Sequence, residues 1–362
     1  MNGFNILIIS PEPWNGHFVS KHHYAITLVQ KGYKVYFLNP PTKLKKIKIL
    51  ETKYQNLYQI ESAPVFKGLR FLPKILRVYL EGQWLKNLEK LIESKMDTIW
   101  IFENSRFYNM EFAKDRLKIY HQVDSNQNFH IKEASSSADI CFCVTDYIKR
   151  DLLIYNKKVF KISHGLNISK EKLALSLEQL DYFNKSTINI TYIGNIDIIY
   201  INEKILYSLV LSYPDITFHL IGNYSKDGVL YKLCKDMKNI VWWGRVESKL
   251  ISTILEKIDI SLLIYRVEEY QKQLANSHKI LEYLYSGKVT IATYTDEYKD
   301  KRELLEMVDS SDNYEKKFEE VLHNLKFYNS KEKQEERVAF AEENSYRKQL
   351  EKITFLLKKE TS

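Results

Sequence analysis

A lysine and a glutamate three residues apart mark the segment of the chain best suited to ligand chemistry, Asn276–Thr293. Its pattern predicts a short helix, a glycine at the helix end and then a buried strand. Lys279 and Glu282 would share one face of that helix. The unpaired N–H groups of the helix start, together with Lys279, suit a phosphate, and Glu282 suits ribose hydroxyls. The alternative is a surface ion pair on an ordinary helix.

The elements that position this segment are short apolar runs alternating with helical patterns. Most runs are continuously apolar, which is typical of strands buried on both faces of a parallel sheet. Repeated strand–helix units predict a doubly wound α/β architecture. The predicted strands are Asn5–Ser10, Lys34–Leu38, Thr98–Phe102, Leu117–His121, Asp139–Val144, Val159–Ile162, Ile188–Ile193, Ile216–Ile221, Ile240–Trp243, Ile258–Ile264 and Val289–Ala292.

The strands fall into two series, which predicts two Rossmann-like domains facing each other across a cleft. We expect an N-terminal domain over residues 1–167 and a C-terminal domain over 168–340. Residues 341–362 should form a helix that packs back on the N-terminal domain. Ligands of open parallel sheets bind beyond the carboxyl ends of the strands. The loops after the strands, and the start of the helix with Lys279, should therefore face the cleft.

Composition excludes several classes of protein. The 362 residues are 44% hydrophobic and 28% charged, as in ordinary globular proteins, and no apolar stretch is long enough to cross a membrane. The start of the chain lacks the pattern of a signal peptide, so we expect a cytoplasmic protein. Cys141, Cys143 and Cys234 predict core thiols, with a metal or redox pair as the alternative. Dinucleotide, P-loop and zinc motifs are missing, so we expect no cofactor and no metal.

Positive charge is concentrated in the first half of the chain. Residues 1–165 carry 25 Lys and Arg against 15 Asp and Glu, whereas the rest carries 29 against 31. Lys67, Arg70, Lys74 and Arg77 recur every three or four residues among apolar side chains, which favours contact with an anionic membrane surface. The alternative is a solvated helix face over a core. No nucleic-acid module is recognisable, so we expect no nucleic-acid partner.

The segment around Lys279 resembles the donor-binding helix of GT-B glycosyltransferases, in particular the bacterial glycosyltransferase group 1, or family 4-like, proteins. Four further pieces of the C-terminal half resemble the same fold in the same order. These pieces are Ile190–Asn195, Tyr213–Gly222, Asn239–Val246 and Ile258–Tyr265. The resemblance covers residues 188–293 well and residues 1–40 and 119–167 more loosely.

The resemblance implies where a nucleotide-sugar donor would bind. Glu282 would hold the ribose, Lys279 and the helix start the diphosphate, and Arg245 would border the base or remain solvated. The full set of implied donor-binding residues is Gly16, Gly194, Asn195, Gly222, Arg245, Val246, Lys279, Ile280 and Glu282. The chain departs from the family pattern at Leu274, where many retaining members carry a glutamate, and at Asn195, where a cationic residue is usual.

Candidate catalytic residues lie in the N-terminal half. Pro11–Phe18 resembles the first loop of many GT-B enzymes, in which a histidine such as His17 can act as general base, since its ordinary pKa is near 6.5. His121 and Asp124 end a predicted strand, where related enzymes contact the donor sugar. The alternatives are a helix-start residue without chemistry for His17, and packing or capping for His121 and Asp124.

The resemblance implies a glycosyltransferase that needs no metal. It would move a sugar from a nucleotide-sugar to a saccharide or lipid-linked acceptor of surface-polysaccharide synthesis. The donor-helix pattern favours retention of configuration, whereas the resemblance around His17 favours inversion. The basic segment suggests a peripheral position on the inner face of the cytoplasmic membrane. A non-catalytic binding or scaffold protein and a sugar-nucleotide epimerase of the same fold remain as alternatives.

Overall fold

The computed structural model describes residues 4–16, 18–44, 46–125, 129–168, 172–183 and 188–361. Within them the strands are β1 (Asn5–Ile9), β2 (Lys34–Leu38), β3 (Lys48–Glu51), β4 (Leu57–Glu61), β5 (Thr98–Ile101), β6 (Leu117–Gln122), β7 (Ile140–Cys143), β8 (Val159–Lys161), β9 (Asn189–Ile193), β10 (Thr217–Ile221), β11 (Ile240–Gly244), β12 (Ile260–Leu263), β13 (Val289–Thr293) and β14 (Glu306–Val308).

The α-helices of the same residues lie mostly between consecutive strands. They are α1 (Ser20–Gln30), α2 (Lys74–Leu91), α3 (Ile131–Ser137), α4 (Asp146–Leu153), α5 (Leu177–Asp181), α6 (Glu203–Ser212), α7 (Val229–Cys234), α8 (Ser248–Leu255), α9 (Val267–Leu274), α10 (Lys279–Tyr285), α11 (Tyr314–His323), α12 (Leu325–Tyr328), α13 (Lys331–Glu343) and α14 (Tyr346–Thr361).

The chain divides into two compact units, and the first comprises Met1–Gly165 and Tyr346–Ser362. Its sheet has the strand order β3-β4-β2-β1-β5-β6-β7-β8, and its strand pairs are parallel except for the antiparallel pair of β3 and β4. Alternate residues of β1 pack into different cores, because Leu7 and Ile9 belong to one apolar cluster and Ile6 and Ile8 to another. Both faces of this sheet are therefore buried.

The second unit, Leu166–Ser345, contains a parallel sheet with the order β11-β10-β9-β12-β13-β14. Ile193 of β9 pairs with Ile221 of β10, whereas the pairing of β10 with β11 shifts by one residue after Leu220. Ile221 packs into one apolar cluster and the preceding Leu220 into another, so this sheet is also covered on both faces. The predicted α/β class with two Rossmann-like doubly wound units is confirmed.

The structure adds three strands that the sequence pattern did not predict, β3, β4 and β14. β3 is the edge strand of its sheet and pairs with β4 alone, and none of its four residues is fully buried. Such a strand lacks the continuous apolar run by which buried strands are recognised. The turn before β4 places Asn56 at a positive φ of 64°, a conformation that Asn adopts more readily than most residues.

The C-terminal segment contributes to the first unit through α14. Tyr346, Leu350 and Ile353 belong to the same apolar cluster as Ile6 and Ile8 of β1. The structure divides the chain after Gly165 and again after Ser345, compared with the predicted boundaries at residues 167 and 340. Among the described residues, the structure contains no helix with the length and apolarity needed to cross a membrane.

Candidate functional site

Three glycines lie together where β9, β10 and β11 end. Gly194 and Gly222 have φ values of +151° and +139°, which few residues with a side chain adopt. The Gly194 amide donates to the Ile221 carbonyl at 2.8 Å, and the Gly222 amide donates to the Gly244 carbonyl at 2.8 Å. A Cβ on Gly222 would overlap the Gly194 carbonyl. These turns therefore require glycine. Because glycine has no side chain, the backbone at the carboxyl edge of the sheet is not covered there.

Lys279 lies directly against the first of these turns. A Cβ on Gly194 would overlap the Lys279 side chain. The ammonium donates a hydrogen bond of 2.9 Å to the Tyr265 hydroxyl and lies 5.2 Å from the centre of the Tyr192 ring. None of these partners is a carboxylate, so the ammonium at the glycine turn has no ion-pair partner among the described residues. A charge held in this way suits a phosphate group.

Glu282 lies one turn further along α10 and is half-buried. Its carboxylate has no hydrogen-bond or ion-pair partner among the residues that the structure describes. Burial raises the pKa of Glu282 to about 7, and the charge of Lys279 opposes that shift. The helix itself is held to the sheet, because the Tyr283 hydroxyl accepts a 2.8 Å hydrogen bond from the Ile193 amide. Glu282 is therefore a fixed acceptor with unused capacity, suitable for neighbouring hydroxyl groups.

The other predicted donor-binding residues have varied surroundings. Asn195 is exposed, and its side-chain oxygen accepts from the Asp197 amide at 3.2 Å. Arg245 is exposed, Val246 packs at the margin of an apolar cluster, and the Ile280 side chain is fully buried in the core. Leu274, which replaces the glutamate of many retaining relatives, is also a core residue.

In the first unit, His121 lies near the end of β6 inside a group of aromatic rings. Its ring centre lies 5.0 Å from that of Phe102 and 5.6 Å from that of Tyr24, and it is fully buried. Within the described part of the chain, neither ring nitrogen has a hydrogen-bond partner. Burial lowers the pKa of His121 to about 3, assisted by the charges of His164 and Lys21. His121 is therefore a neutral histidine at neutral pH.

Further polar residues collect at the same edge of this sheet. His164 follows β8, and its Nδ1 lies 3.4 Å from the hydroxyl of Ser20 at the start of α1. Burial lowers the pKa of His164 to about 4, whereas the exposed Asp124 acts to raise it and Lys21 to lower it. Lys21 is itself buried and forms an ion pair with Glu12. The structure thus brings His121 and Asp124 into one neighbourhood with the half-buried His164 and the buried Lys21.

Two predicted residues lie in the loop after β1. The Gly16 amide closes a turn by donating to the Pro13 carbonyl at 3.0 Å. His17 lies outside the described residues, so its predicted role as general base stays a prediction. Three of the four predicted membrane-contact residues, Lys67, Arg70 and Lys74, are exposed, whereas Arg77 is buried.

The arrangement contains residues that sequence reasoning did not select. Tyr265 holds Lys279 and Tyr283 anchors α10, and Tyr192 places its ring beside Lys279. Each tyrosine interrupts or ends an apolar run of the sequence. A hydroxyl group at such a position could have indicated a residue with a hydrogen-bonding role. Among the described residues, no group of three or more His, Cys, Asp or Glu side chains forms a candidate metal site. Cys141, Cys143 and Cys234 are buried free thiols.

No family model matches the chain. In the comparison with curated proteins, 164 residues are 26% identical to TuaH of Bacillus subtilis (strain 168), a protein named as a teichuronic acid biosynthesis glycosyltransferase. The alignment covers 43% of this chain and 40% of TuaH, so the match spans well under half of the length of that relative.

The solved structures that resemble this chain do so over nearly its whole length. Sucrose-phosphate synthase from Thermosynechococcus elongatus has a TM-score of 0.71 at 12% identity, with 99% of each chain covered. A glycosyltransferase from Rickettsia africae has a TM-score of 0.71 at 14% identity, with 100% of each chain covered. HepE from Anabaena in complex with UDP has a TM-score of 0.69 at 13% identity, covering 98% of this chain and all of the other.

These comparisons establish the class of fold. The chain has the GT-B architecture of glycosyltransferases, as the segment around Lys279 predicted. At 11–14% identity the structural matches show the fold alone.

Proposed function

We propose that the chain is a glycosyltransferase that moves a sugar from a nucleotide-sugar donor to an acceptor. The observation that carries this proposal is the cluster at the carboxyl edge of the second unit's sheet. There the bare turn at Gly194 lies against the ammonium of Lys279, and the unpartnered carboxylate of Glu282 lies one helical turn away. A diphosphate beside a ribose presents the anionic oxygens and neighbouring hydroxyls that this pair of side chains fits.

The cluster also supports a specific chemical role. Transfer displaces a nucleoside diphosphate at the anomeric carbon, and negative charge develops on the leaving oxygen. Lys279, held by Tyr265, would stabilise that charge without reorganising, and this is the work that a metal performs in other enzymes. The transfer is accordingly proposed to need no metal. Retention of configuration is proposed from the resemblance of the donor helix, with His17, His121 and Asp124 as the candidate residues near the sugar.

We further propose that the acceptor is a saccharide or lipid-linked sugar of surface-polysaccharide synthesis. The name of TuaH supports a polysaccharide product, and the solved complexes of HepE with UDP and UDP-glucose support a nucleotide-sugar donor. Exposed Phe71 and Ile75 accompany the exposed basic residues Lys67 and Lys74. That combination favours peripheral attachment to the anionic inner face of the cytoplasmic membrane.

Nucleotide binding is the first test. Thermal unfolding would be followed with UDP, GDP, CMP and dTDP and their sugar conjugates. A ligand at 100 times its Kd stabilises the native state by about 2.7 kcal/mol. We expect one base to give a clear shift, and Lys279→Met to remove most of it while the exposed-site control Lys326→Met keeps it. No shift with any nucleotide in the intact chain would contradict the donor site.

Turnover and stereochemistry are tested separately. With the nucleotide identified, hydrolysis or transfer would be followed in the presence of EDTA, and the anomeric configuration of the product determined by NMR. Full activity in EDTA and a retained configuration are expected. Tight nucleotide binding without any turnover would instead favour a binding protein. The buried Leu274, at the position where many retaining glycosyltransferases carry a glutamate, agrees with that alternative.

Membrane contact is tested by co-sedimentation with vesicles containing anionic lipid. The native chain should bind at low salt and dissociate at high salt. Replacing the exposed Ile75 by Ser should weaken binding several-fold, whereas the same change at Phe327, which is exposed on the other unit, should not. Equal loss in both variants, or no binding by the native chain, would refute the proposed contact.

A further inference from the structure

A cavity of about 110 Å³ lies in the first unit, outside the cluster around His121. Its walls come from α2 and from the loops that follow β2, β4 and β5, so it opens at the carboxyl edge of the sheet. That edge is where parallel α/β sheets bind their ligands. The space exceeds what a single water needs and is large enough for a phosphate or carboxylate group.

The cavity is lined by an arginine whose guanidinium has no hydrogen-bond or ion-pair partner among the described residues. Arg77 of α2 is 8% exposed, and its guanidinium stacks 4.5 Å from the centre of the Tyr108 ring. In the described part of the chain the guanidinium makes no hydrogen bond and no ion pair, and its buried Nε is left without an acceptor. A buried guanidinium without a hydrogen-bonded counter-charge is costly, and an incoming anion would offset that cost.

A glutamate on the same helix completes the polar wall. Glu81 is fully buried, and its Oε1 accepts a hydrogen bond from the Phe107 amide at 3.0 Å. Its Oε2 has no partner among the described residues. Although Arg77 lies one turn away, the two side chains do not approach within ion-pair distance. Each therefore presents unused hydrogen-bonding capacity: Arg77 as a donor to an anion, and Glu81 as an acceptor from a hydroxyl.

The other arginines that line the cavity do not share this property. Arg106 is engaged by the Glu103 carboxylate and donates to the Ser10 carbonyl at 2.8 Å. Arg70 is exposed and stacks on Phe71. Of these three arginines, Arg77 is thus the one that is buried and whose guanidinium has no hydrogen-bond or ion-pair partner.

An exposed apolar side chain also lines the cavity. Phe66 is 49% exposed, and the exposed Phe71 stacks against Arg70, another residue of the lining. A charged pocket with exposed apolar side chains beside it fits a molecule that carries an oxyanion and an apolar group together.

We propose that this cavity binds the oxyanion of an acidic or lipid-phosphate sugar acceptor, with Arg77 as its counter-charge and Glu81 as acceptor for a hydroxyl of the same molecule. The proposal rests on the proposed glycosyltransferase function for the identity of the occupant as acceptor. The site itself rests on the unpartnered Arg77 and Glu81. The oxyanion has two possible sources, a soluble sugar acid or a lipid-borne phosphate.

The test is calorimetric titration of the full chain with three probes: glucose 1-phosphate, glucuronate and geranyl phosphate. Arg77→Met keeps an unbranched apolar side chain but removes the charge. Lys86→Met removes an exposed charge further along α2 and is the matched control. We expect Arg77→Met to weaken binding of at least one probe by tenfold or more, and Lys86→Met to leave it within twofold.

The probes distinguish the source. Geranyl phosphate binding at least tenfold tighter than glucose 1-phosphate, with the advantage reduced by Phe66→Ser, supports a lipid phosphate. Equal or tighter binding of the sugar acids supports a soluble acceptor. Probe binding that is unchanged by Arg77→Met, or lowered equally by Lys86→Met, overturns the proposal. If Arg77→Met does not fold, Arg77→Lys, which keeps the charge but loses the planar fork, should still weaken the probe several-fold.

Nucleotide binding in the same variants separates this site from the donor site. Arg77→Met should retain the nucleotide affinity of the native chain, because Arg77 and the Lys279 cluster belong to different units. A native chain that binds a probe through Arg77 but no nucleotide would refute the proposed function while supporting the anion site. A chain that binds nucleotide but none of the three probes would refute the anion site alone.

Discussion

Replacing Glu282 by Gln should change the stability of the free protein and its affinity for nucleotide in opposite directions. The carboxylate has no partner among the described residues, so its removal breaks no ion pair or hydrogen bond of the folded chain. Burial raises the pKa of Glu282 to about 7 from an ordinary value of 4.5. The folded state therefore holds the proton more tightly than the unfolded state, and native stability falls as the pH rises from about 4.5 through 7.

The size of the stability change follows from that shift. A pKa unit corresponds to about 1.4 kcal/mol, so a change from 4.5 to about 7 is worth about 3 kcal/mol in a fully buried group, and the partial exposure of Glu282 reduces this contribution to about 1 kcal/mol. Glu282→Gln should thus raise the free energy of unfolding by about 1 kcal/mol at pH 8 and change it little at pH 5. Hydrogen bonds to a charged group exceed those to a neutral group by roughly 1–1.5 kcal/mol, so the nucleotide Kd should increase about tenfold.

The assay combines urea unfolding at pH 5 and pH 8 with calorimetric titration of the nucleotide found in the screen. Glu332→Gln, an exposed glutamate on α13, is the matched control and should change neither quantity. The affinity of the native chain should also rise between pH 6 and 8, because the acceptor is the ionised carboxylate. Lower stability of Glu282→Gln at pH 8, or an unchanged Kd, would refute the reasoning.

Three further predictions concern the same sites. Gly222→Ala should destabilise the chain by about 1–3 kcal/mol in urea unfolding, whereas Gly82→Ala on α2, where a Cβ has room, should stabilise it by about 0.5–1 kcal/mol. Tyr265→Phe should weaken binding of the nucleoside diphosphate several-fold but leave the nucleoside unaffected, because it frees Lys279. Burial raises the pKa of Glu81 to about 7, so ionisation of this group should lower the stability of the native chain by up to about 3 kcal/mol between pH 5 and 8. Glu81→Gln should remove that part of the pH dependence in urea unfolding.

The sequence was sufficient for the parts of the fold that rest on apolar periodicity. Strands such as β1 and β7 are buried at every position, and their apolar runs identify them without any tertiary information. β3 lies at a sheet edge and β14 has only three residues, so neither carries such a run. Their pairing depends on neighbours that are distant in the chain, and a local pattern does not contain that information.

The candidate site shows the same division between local and distant information. The pattern around Lys279 and Glu282 is local, and the structure shows both side chains beside the glycine turns. The dependence of Lys279 on Tyr265, 14 residues earlier, comes from the packing of β12 and α10. Arg77 belongs to a basic periodicity that favours an exposed face, yet it is buried because α2 turns it toward Tyr108. A charge pattern alone does not distinguish a solvated arginine from one that lines a cavity.

Each unit carries a glutamate that the fold leaves without its full set of partners, and this shared feature has a physical consequence. Glu282 and Glu81 are both raised to a pKa of about 7 by burial, each with a cation on the same helix that only partly offsets the shift. A residue selected for stability alone would be paired or replaced by an apolar side chain, since both arrangements avoid the cost of burial. The cost is recovered when a ligand supplies the missing partner. The two glutamates should therefore titrate independently near neutral pH in the free protein, and the pKa of each should change only when its own ligand is bound.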